Sequence, residues 1–217
     1  MEITKREFKI INNKFDEFKA NTNKSFEILK GKEKVFLSAP HSVRQLRNGI
    51  IKGKDSCTGT IAITLQKAIN CYCIYKTKNC DDDANYDIEN NSYKEEIVNT
   101  VKNENIKFLL DIHGAKNEQG FDIDVGTGNL VNLNNKTEYL KTFIDIGKKY
   151  KLNITTDKVF KAETFHTVAH TIAEKNNIPC MQIEIAKKYR DIEEFNNIKI
   201  ILNFLEEYLR MIIKIGG

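Results

Sequence analysis

Of the 217 residues, 41% are hydrophobic and 29% charged, close to the globular averages of about 45 to 50% and about 25%, which excludes disordered and fibrous classes. Lys and Arg number 34 against 30 Asp and Glu, and the resulting +4 is spread along the chain instead of gathered into an arm, so no nucleic-acid partner is expected. No apolar stretch approaches the roughly 18 to 20 residues that cross a bilayer, and the charged start Met1 to Glu7 has no apolar export region behind it, so no membrane partner is expected either.

The five cysteines, Cys57, Cys71, Cys73, Cys80 and Cys180, are odd in number and irregularly spaced, which fits reduced thiols in a cytoplasmic protein and neither a disulfide framework nor a thiolate zinc site. With only Pro40 and Pro179 and no Ser/Gly-rich linker, residues 1–217 are expected to form one domain.

In chain order, helical periodicity over Arg6 to Phe18 predicts a first helix, and two short apolar runs, Ser25 to Leu29 and Lys34 to Ala39, predict strands. A helix over Thr58 to Asn70 leads into a strand at Cys71 to Lys76. A helix at Tyr93 to Asn103 then precedes strands at Lys107 to Ile112 and Phe121 to Val125. Helices at Lys136 to Tyr150 and Val168 to Lys175, a strand at Cys180 to Ile185 and a helix at Ile192 to Ile213 complete the chain. The alternation predicts an α/β fold with a mixed, largely parallel sheet flanked by helices. Runs such as Phe108-Leu109-Leu110 are apolar at successive positions, as inner strands covered on both faces are.

Sites in open α/β sheets lie at the carboxyl ends of the strands. There the sequence places His41 after the second run, Asp111 and His113 at the end of the Lys107 strand, and Glu184 within the Cys180 strand. Neutral imidazole and carboxylate suit zinc, and a catalytic zinc site uses three such ligands with an open position for water. A further, unligated carboxylate would serve as general base. The alternative is that each histidine is simply a structural strand-end residue.

The segments Ser38-Ala39-Pro40-His41-Ser42, Leu110-Asp111-Ile112-His113-Gly114 and Met181-Gln182-Ile183-Glu184-Ile185 resemble, in order, the motifs of the N-formylglutamate amidohydrolase family, itself similar in fold to the zinc carboxypeptidases. The resemblance implies one catalytic domain performing zinc-dependent hydrolysis of an amide in a small N-acyl amino acid or short peptide, with His41 and His113 as ligands and Glu184 as base. The carboxypeptidase pattern has Glu three residues after the first His, where this chain has Arg44. The amidohydrolases supply an acidic residue after an inserted loop, which makes Asp55 the expected third ligand and Asp111 the alternative. Asp111 and His113, two apart on a strand, face the same side, so Asp111 is equally placed to orient a liganding imidazole.

Substrates of this family carry a carboxylate, for which a fixed cation is the usual partner. Arg44 is the first candidate. The family's Asp-x-Asn-Arg motif survives here as Asp83-Ala84-Asn85-Tyr86, keeping Asn85 and replacing the Arg with Tyr, and Arg190 beyond Glu184 is a candidate substitute. The altered Glu and Arg positions leave open a non-catalytic small-ligand binding protein on the same scaffold.

Three other features carry less. Asp81, Asp82 and Asp83 are expected to form a solvated acidic loop, and in Gly49 to Ser56 the Gly53-Lys54 pair is followed by Asp55 where a phosphate loop has Ser or Thr. His166 and His170 are second-choice ligands, four apart on a helix but without the Glu of an H-E-x-x-H motif.

Overall fold

The computed structural model describes residues 2–15, 23–78 and 80–216. Helix α1 (Lys5–Asn12) starts at a capping box in which Thr4 and Glu7 satisfy each other's backbone N–H. A 3-10 turn carries it on to Phe15, and the rest of the expected helix, 16–18, lies outside the described residues. Strands β1 (Phe26–Leu29) and β2 (Glu33–Ala39) follow, then a hairpin of β3 (Gln45–Arg47) and β4 (Ile50–Lys52) in the stretch that lacks a phosphate-loop signature. Next come α2 (Thr58–Ile69), β5 (Cys71–Lys76), α3 (Ser92–Glu104), β6 (Phe108–Ala115) and β7 (Ile123–Gly126). The chain continues through α4 (Thr137–Lys149), a short β8 (Ile154–Thr156), α5 (Val168–Asn176), β9 (Cys180–Ala186) and α6 (Phe195–Gly216). Three helices, α2, α3 and α5, stop at an Asn in the left-handed conformation, Asn70, Asn105 and Asn177, whose N–H bonds back into the last turn.

Seven strands form one sheet in the order β1-β5-β2-β6-β9-β7-β8. The inner strands β5, β2, β6 and β9 run parallel, while β1 pairs antiparallel with β5 and β7 antiparallel with β9, so the sheet is mixed and largely parallel as expected. Helices cover both faces. One face packs Leu37, Leu110, Ile112, Met181 and Ile183 against α1, α2, α4 and α6. The other packs Phe36, Leu109 and Cys180 against α3 and α5.

Period-two alternation then decides where the polar residues go. Ser38, Asp111, His113, Gln182 and Glu184 share the parity of Phe36, Leu109 and Cys180, so toward the carboxyl ends the α3/α5 face turns from apolar to polar. His113 stands in register with Glu184 on β9, and Glu184 in turn with Asp124 on β7. β6 runs three residues past the expected Ile112, so His113 belongs to the strand and not to the turn after it.

Arg190 locks this corner. It is 5% exposed, and its Nε, Nη1 and Nη2 donate to the carbonyls of Ile185, Ser56 and Ala115 at 2.8, 2.9 and 2.9 Å. The guanidinium sits against Gly114, where a Cβ would come within 2.2 Å of it, so only glycine admits it. No described helix is long and apolar enough to cross a membrane. Arg190→Met should leave the buried carbonyls of Ile185 and Ala115 without this donor and destabilise the fold by about 2 kcal/mol or more, at about 1 to 3 kcal/mol per unpaired group. An unaltered urea midpoint would contradict this strut.

Candidate metal centre

His41 follows β2 in a turn held by Ser42, whose hydroxyl donates to the carbonyls of Ala39 and Lys76 at 3.0 and 2.7 Å. The chain then leaves through the β3–β4 hairpin and returns at Asp55, whose N–H donates to the His41 carbonyl at 2.8 Å. The hairpin is thus looped out, and two residues fourteen apart become backbone neighbours. The Asp55 carbonyl accepts from the Thr58 hydroxyl at 2.8 Å, which fixes the entry to α2.

The Oδ2 atom of Asp55 lies 3.5 Å from His41 Nδ1 and 3.3 Å from His113 Nδ1, and the three donor atoms all fall within 4.8 Å of one another. Each imidazole turns its other nitrogen to a buried carboxylate. His41 Nε2 lies 2.9 Å from Asp83 Oδ1, and His113 Nε2 lies 3.0 Å from Asp111 Oδ2. Asp111 therefore stands on the far side of the ring from Asp55. Asn85 approaches the same His113 nitrogen at 3.0 Å, and its Oδ1 accepts from Val168 N–H.

These donors fit a zinc ion. Ligands at about 2.0 to 2.2 Å in tetrahedral array stand about 3.4 Å apart, the spacing of Asp55 from each ring. Among the described residues, Arg47 and Arg190 are the guanidinium groups set against the carboxylates of Asp55, Asp83, Asp111 and Glu184, with the ammonium of Lys94 acting on Asp83 and Asp111 as well, and a divalent cation suits so acidic a cluster. Asp111 Oδ1 is buried with no hydrogen-bond partner among the described residues.

Burial opposes charge on both imidazoles, but the flanking carboxylates outweigh it. His41 is raised by Asp55 and Asp83, and His113 well raised by Asp111 and Asp55. Burial likewise opposes ionisation of Asp55 and Asp83, yet His113 and His41 hold the first well below the usual carboxylate range, and His41 and Arg47 the second. Glu184 behaves oppositely. Burial pushes its carboxyl up to about 7, with the His113 ring opposing and the Asp55 charge adding to the shift. Its Oε1 accepts from Gln182 Nε2 at 3.1 Å.

The acidic loop is solvated at Asp81 alone, and its other two carboxylates turn inward, contrary to the sequence expectation. Asp83 is 1% exposed, and Asp82 pairs with Lys76, a fully buried ammonium that also donates to Ser25 Oγ at 2.8 Å. Asp83 Oδ2 accepts from Arg47 Nε and Nη2 at 2.9 and 2.6 Å, and the Arg47 guanidinium stacks on Tyr86 at 4.9 Å. Buried Lys94 clamps the far end by donating to the carbonyls of Asp87, Phe165 and His166 at 2.6, 2.7 and 2.9 Å.

Of the residues singled out from sequence, His41, Asp55, His113, Asn85 and Glu184 are brought together. Arg190, expected to bind substrate, instead spends its guanidinium on main-chain carbonyls. Arg44 lies exposed on the segment leading to β3. His166 and His170 part company, the first bonding the Tyr86 carbonyl and the second Asn132 Oδ1 at 2.9 Å. Sequence reasoning passed over Asp83 and Arg47. The Asp of Asp83-Ala84-Asn85 signalled the first, but nothing in the sequence links Arg47 to it.

No family model matches the chain, and no curated protein matches it by sequence. Solved structures do. A gene product of Agrobacterium tumefaciens aligns over 93% of this chain and 97% of its own with TM-score 0.66 at 12% identity. N-formylglutamate amidohydrolase from Ralstonia eutropha aligns over 86% and 99% with TM-score 0.61 at 9% identity. A bacteriophage poly-gamma-glutamate hydrolase aligns over 88% and 93% with TM-score 0.52 at 14% identity, and a metallo-carboxypeptidase from Burkholderia cenocepacia over 97% and 70% with TM-score 0.52 at 7% identity. The chain has the zinc carboxypeptidase-like α/β fold that its motifs implied.

A metal ligand must present a neutral ring, whereas both imidazoles are drawn toward their charged form in the metal-free protein, so zinc uptake should expel protons. Affinity should climb with pH by about tenfold per unit for each proton released. Calorimetric titration in buffers of different ionisation enthalpy counts those protons, and a zero count with flat affinity around neutral pH would contradict the site.

Proposed function

We propose that the chain is a zinc-dependent hydrolase that cleaves an amide bond in a small, carboxylate-bearing N-acyl amino acid or short peptide. The observation that carries this reading is the convergence of His41, Asp55 and His113 beside a buried, unligated Glu184. The two neighbours named for glutamate-containing substrates, the N-formylglutamate amidohydrolase and the poly-gamma-glutamate hydrolase, support the substrate class.

Zinc held by the three donors would supply Lewis acidity, polarising the scissile carbonyl and lowering the pKa of water. Glu184 takes the proton of the attacking water and returns it to the departing amine, a task suited to a carboxyl raised toward neutrality. Asp83 and Asp111 accept from the outer ring nitrogens of His41 and His113, which holds each Nδ1 lone pair inward. With Arg190 buried as a strut, Arg47 is the cation we assign to the substrate carboxylate. Asp83 consumes two of its five N–H groups, and Tyr86 steadies its plane, leaving three donors on a side chain 27% exposed. Asp55 and Arg47, standing where the altered motif positions left a gap, support this reading over that of a non-catalytic binding protein.

Glu184→Gln should keep zinc and fold while losing about 10² to 10⁴-fold in rate, because the amide cannot take a proton. Measuring kcat, zinc content and Tm on one preparation decides it, and an active, zinc-replete variant would end the general-base role. Arg47→Ala should raise KM for carboxylate-bearing substrates by about tenfold or more while Arg44→Ala changes it little. Equal KM changes for substrates with and without the carboxylate would remove Arg47 from recognition.

A further inference from the structure

At the amino ends of β6 and β9, the opposite end of the sheet from the histidines, lies a cleft of about 720 Å³. Its volume is that of a small-molecule site, commonly about 300 to 1,000 Å³. Four lysines line it, Lys102, Lys107, Lys136 and Lys175, against a single acidic residue, Glu138. They come from α3, the link into β6, the start of α4 and the end of α5, so folding gathers a basic patch that no run in the sequence announces. Among the described residues, the ammonium groups of Lys102, Lys136 and Lys175 form no ion pair and no hydrogen bond, and that of Lys107 bonds only Asn105 Oδ1 at 2.7 Å.

Two further features point to an anion. Helix α4 opens beside the cleft at Lys136 with no side chain capping it, although the Tyr139 N–H donates to the Lys136 carbonyl at 3.1 Å. Tyr139 in that same turn is only 3% exposed, yet its hydroxyl has no hydrogen-bond partner among the described residues. The ring is enclosed while the oxygen itself remains open at the cleft, where it can donate to a ligand. The hydroxyl lies beside Gly216, where an added Cβ would stand 3.0 Å from it, and both residues line the cleft. Lys107, Tyr139 and Gly216 also border an adjoining slot of about 220 Å³ walled by the apolar Val35, Phe108, Ile212 and Ile213.

We propose that this cleft is a second ligand site, separate from the metal centre, for a small phosphate or carboxylate anion that carries an apolar body. The anionic end takes the lysines, the open helix terminus and the Tyr139 hydroxyl, and the body enters the adjoining slot. Nothing in this assignment depends on the hydrolase reading.

The test is calorimetric titration of the zinc-loaded protein with phenyl phosphate and, separately, inorganic phosphate. Phenyl phosphate should bind saturably at one equivalent with a submillimolar Kd, more tightly than inorganic phosphate, and more weakly as salt is added. The double variant Lys136→Glu/Lys175→Glu should bind at least tenfold more weakly at unchanged zinc content, and Tyr139→Phe about threefold more weakly. If the charge reversals lower Tm, Lys102→Gln/Lys107→Gln must show a loss of the same direction. Phenyl phosphate binding unaltered by the lysine variants would place the anion at the metal centre and overturn the proposal, as would non-saturable binding. Equal affinity for the two probes would overturn the role of the apolar slot.

Discussion

The Asp55 carboxylate stands between the Nδ1 atoms of His41 and His113, 3.5 and 3.3 Å away, and the carboxyl end of the sheet is arranged around that convergence. It requires both rings to turn their inner nitrogens the same way, which Asp83 and Asp111 enforce from outside. It also requires three segments distant in sequence to meet, which the His41–Asp55 backbone bond and the parallel pairing of β2 with β6 supply. The result is a buried cluster of carboxylates whose charge Arg47 and Arg190 offset in part, leaving a balance that the two imidazolium rings supply in the metal-free protein and that a bound cation would supply in their place.

The loops that carry these groups are held by buried cations. Lys76, Lys94 and Arg190 each serve several oxygens at once, and main-chain carbonyls are among the acceptors of all three. A long cation suits this work because one side chain can satisfy acceptors from two or three loops, whereas an apolar residue would leave each carbonyl unpaired. Burial lowers the Lys94 ammonium to about 8, a measure of how far desolvation competes with those contacts. Arginine and lysine here build the frame, and Arg47 alone joins that frame to the site.

The small net charge of +4 conceals a separation along the strands. Carboxylates collect at the carboxyl ends around the histidines, while lysines collect at the amino ends around α4. Because the two groups sit at opposite ends of the same strands, each keeps its own field, and the total reports neither.

The sequence alone determined the six helices and six of the seven strands of the main sheet, because period-two and helical patterning are local and the apolar runs are long enough to declare themselves. It also determined the candidates His41, His113 and Glu184, since a polar residue at the end of an apolar strand is conspicuous in one dimension. The β3–β4 hairpin and β8 were not legible, as Gln45–Arg47, Ile50–Lys52 and Ile154–Thr156 are three residues each, too short to show a period. Tertiary structure decided the rest. Asp55 stands beside His41 because the hairpin loops out, Asp83 is buried because Lys76 and Lys94 draw its loop inward, and Arg47 instead of Arg190 faces the site because Arg190 meets three carbonyls first. The four lysines of the second cleft meet only when α3, α4 and α5 pack on the sheet. In each case the deciding interaction joins residues far apart in the chain, and spacing along a sequence carries no distance across a fold.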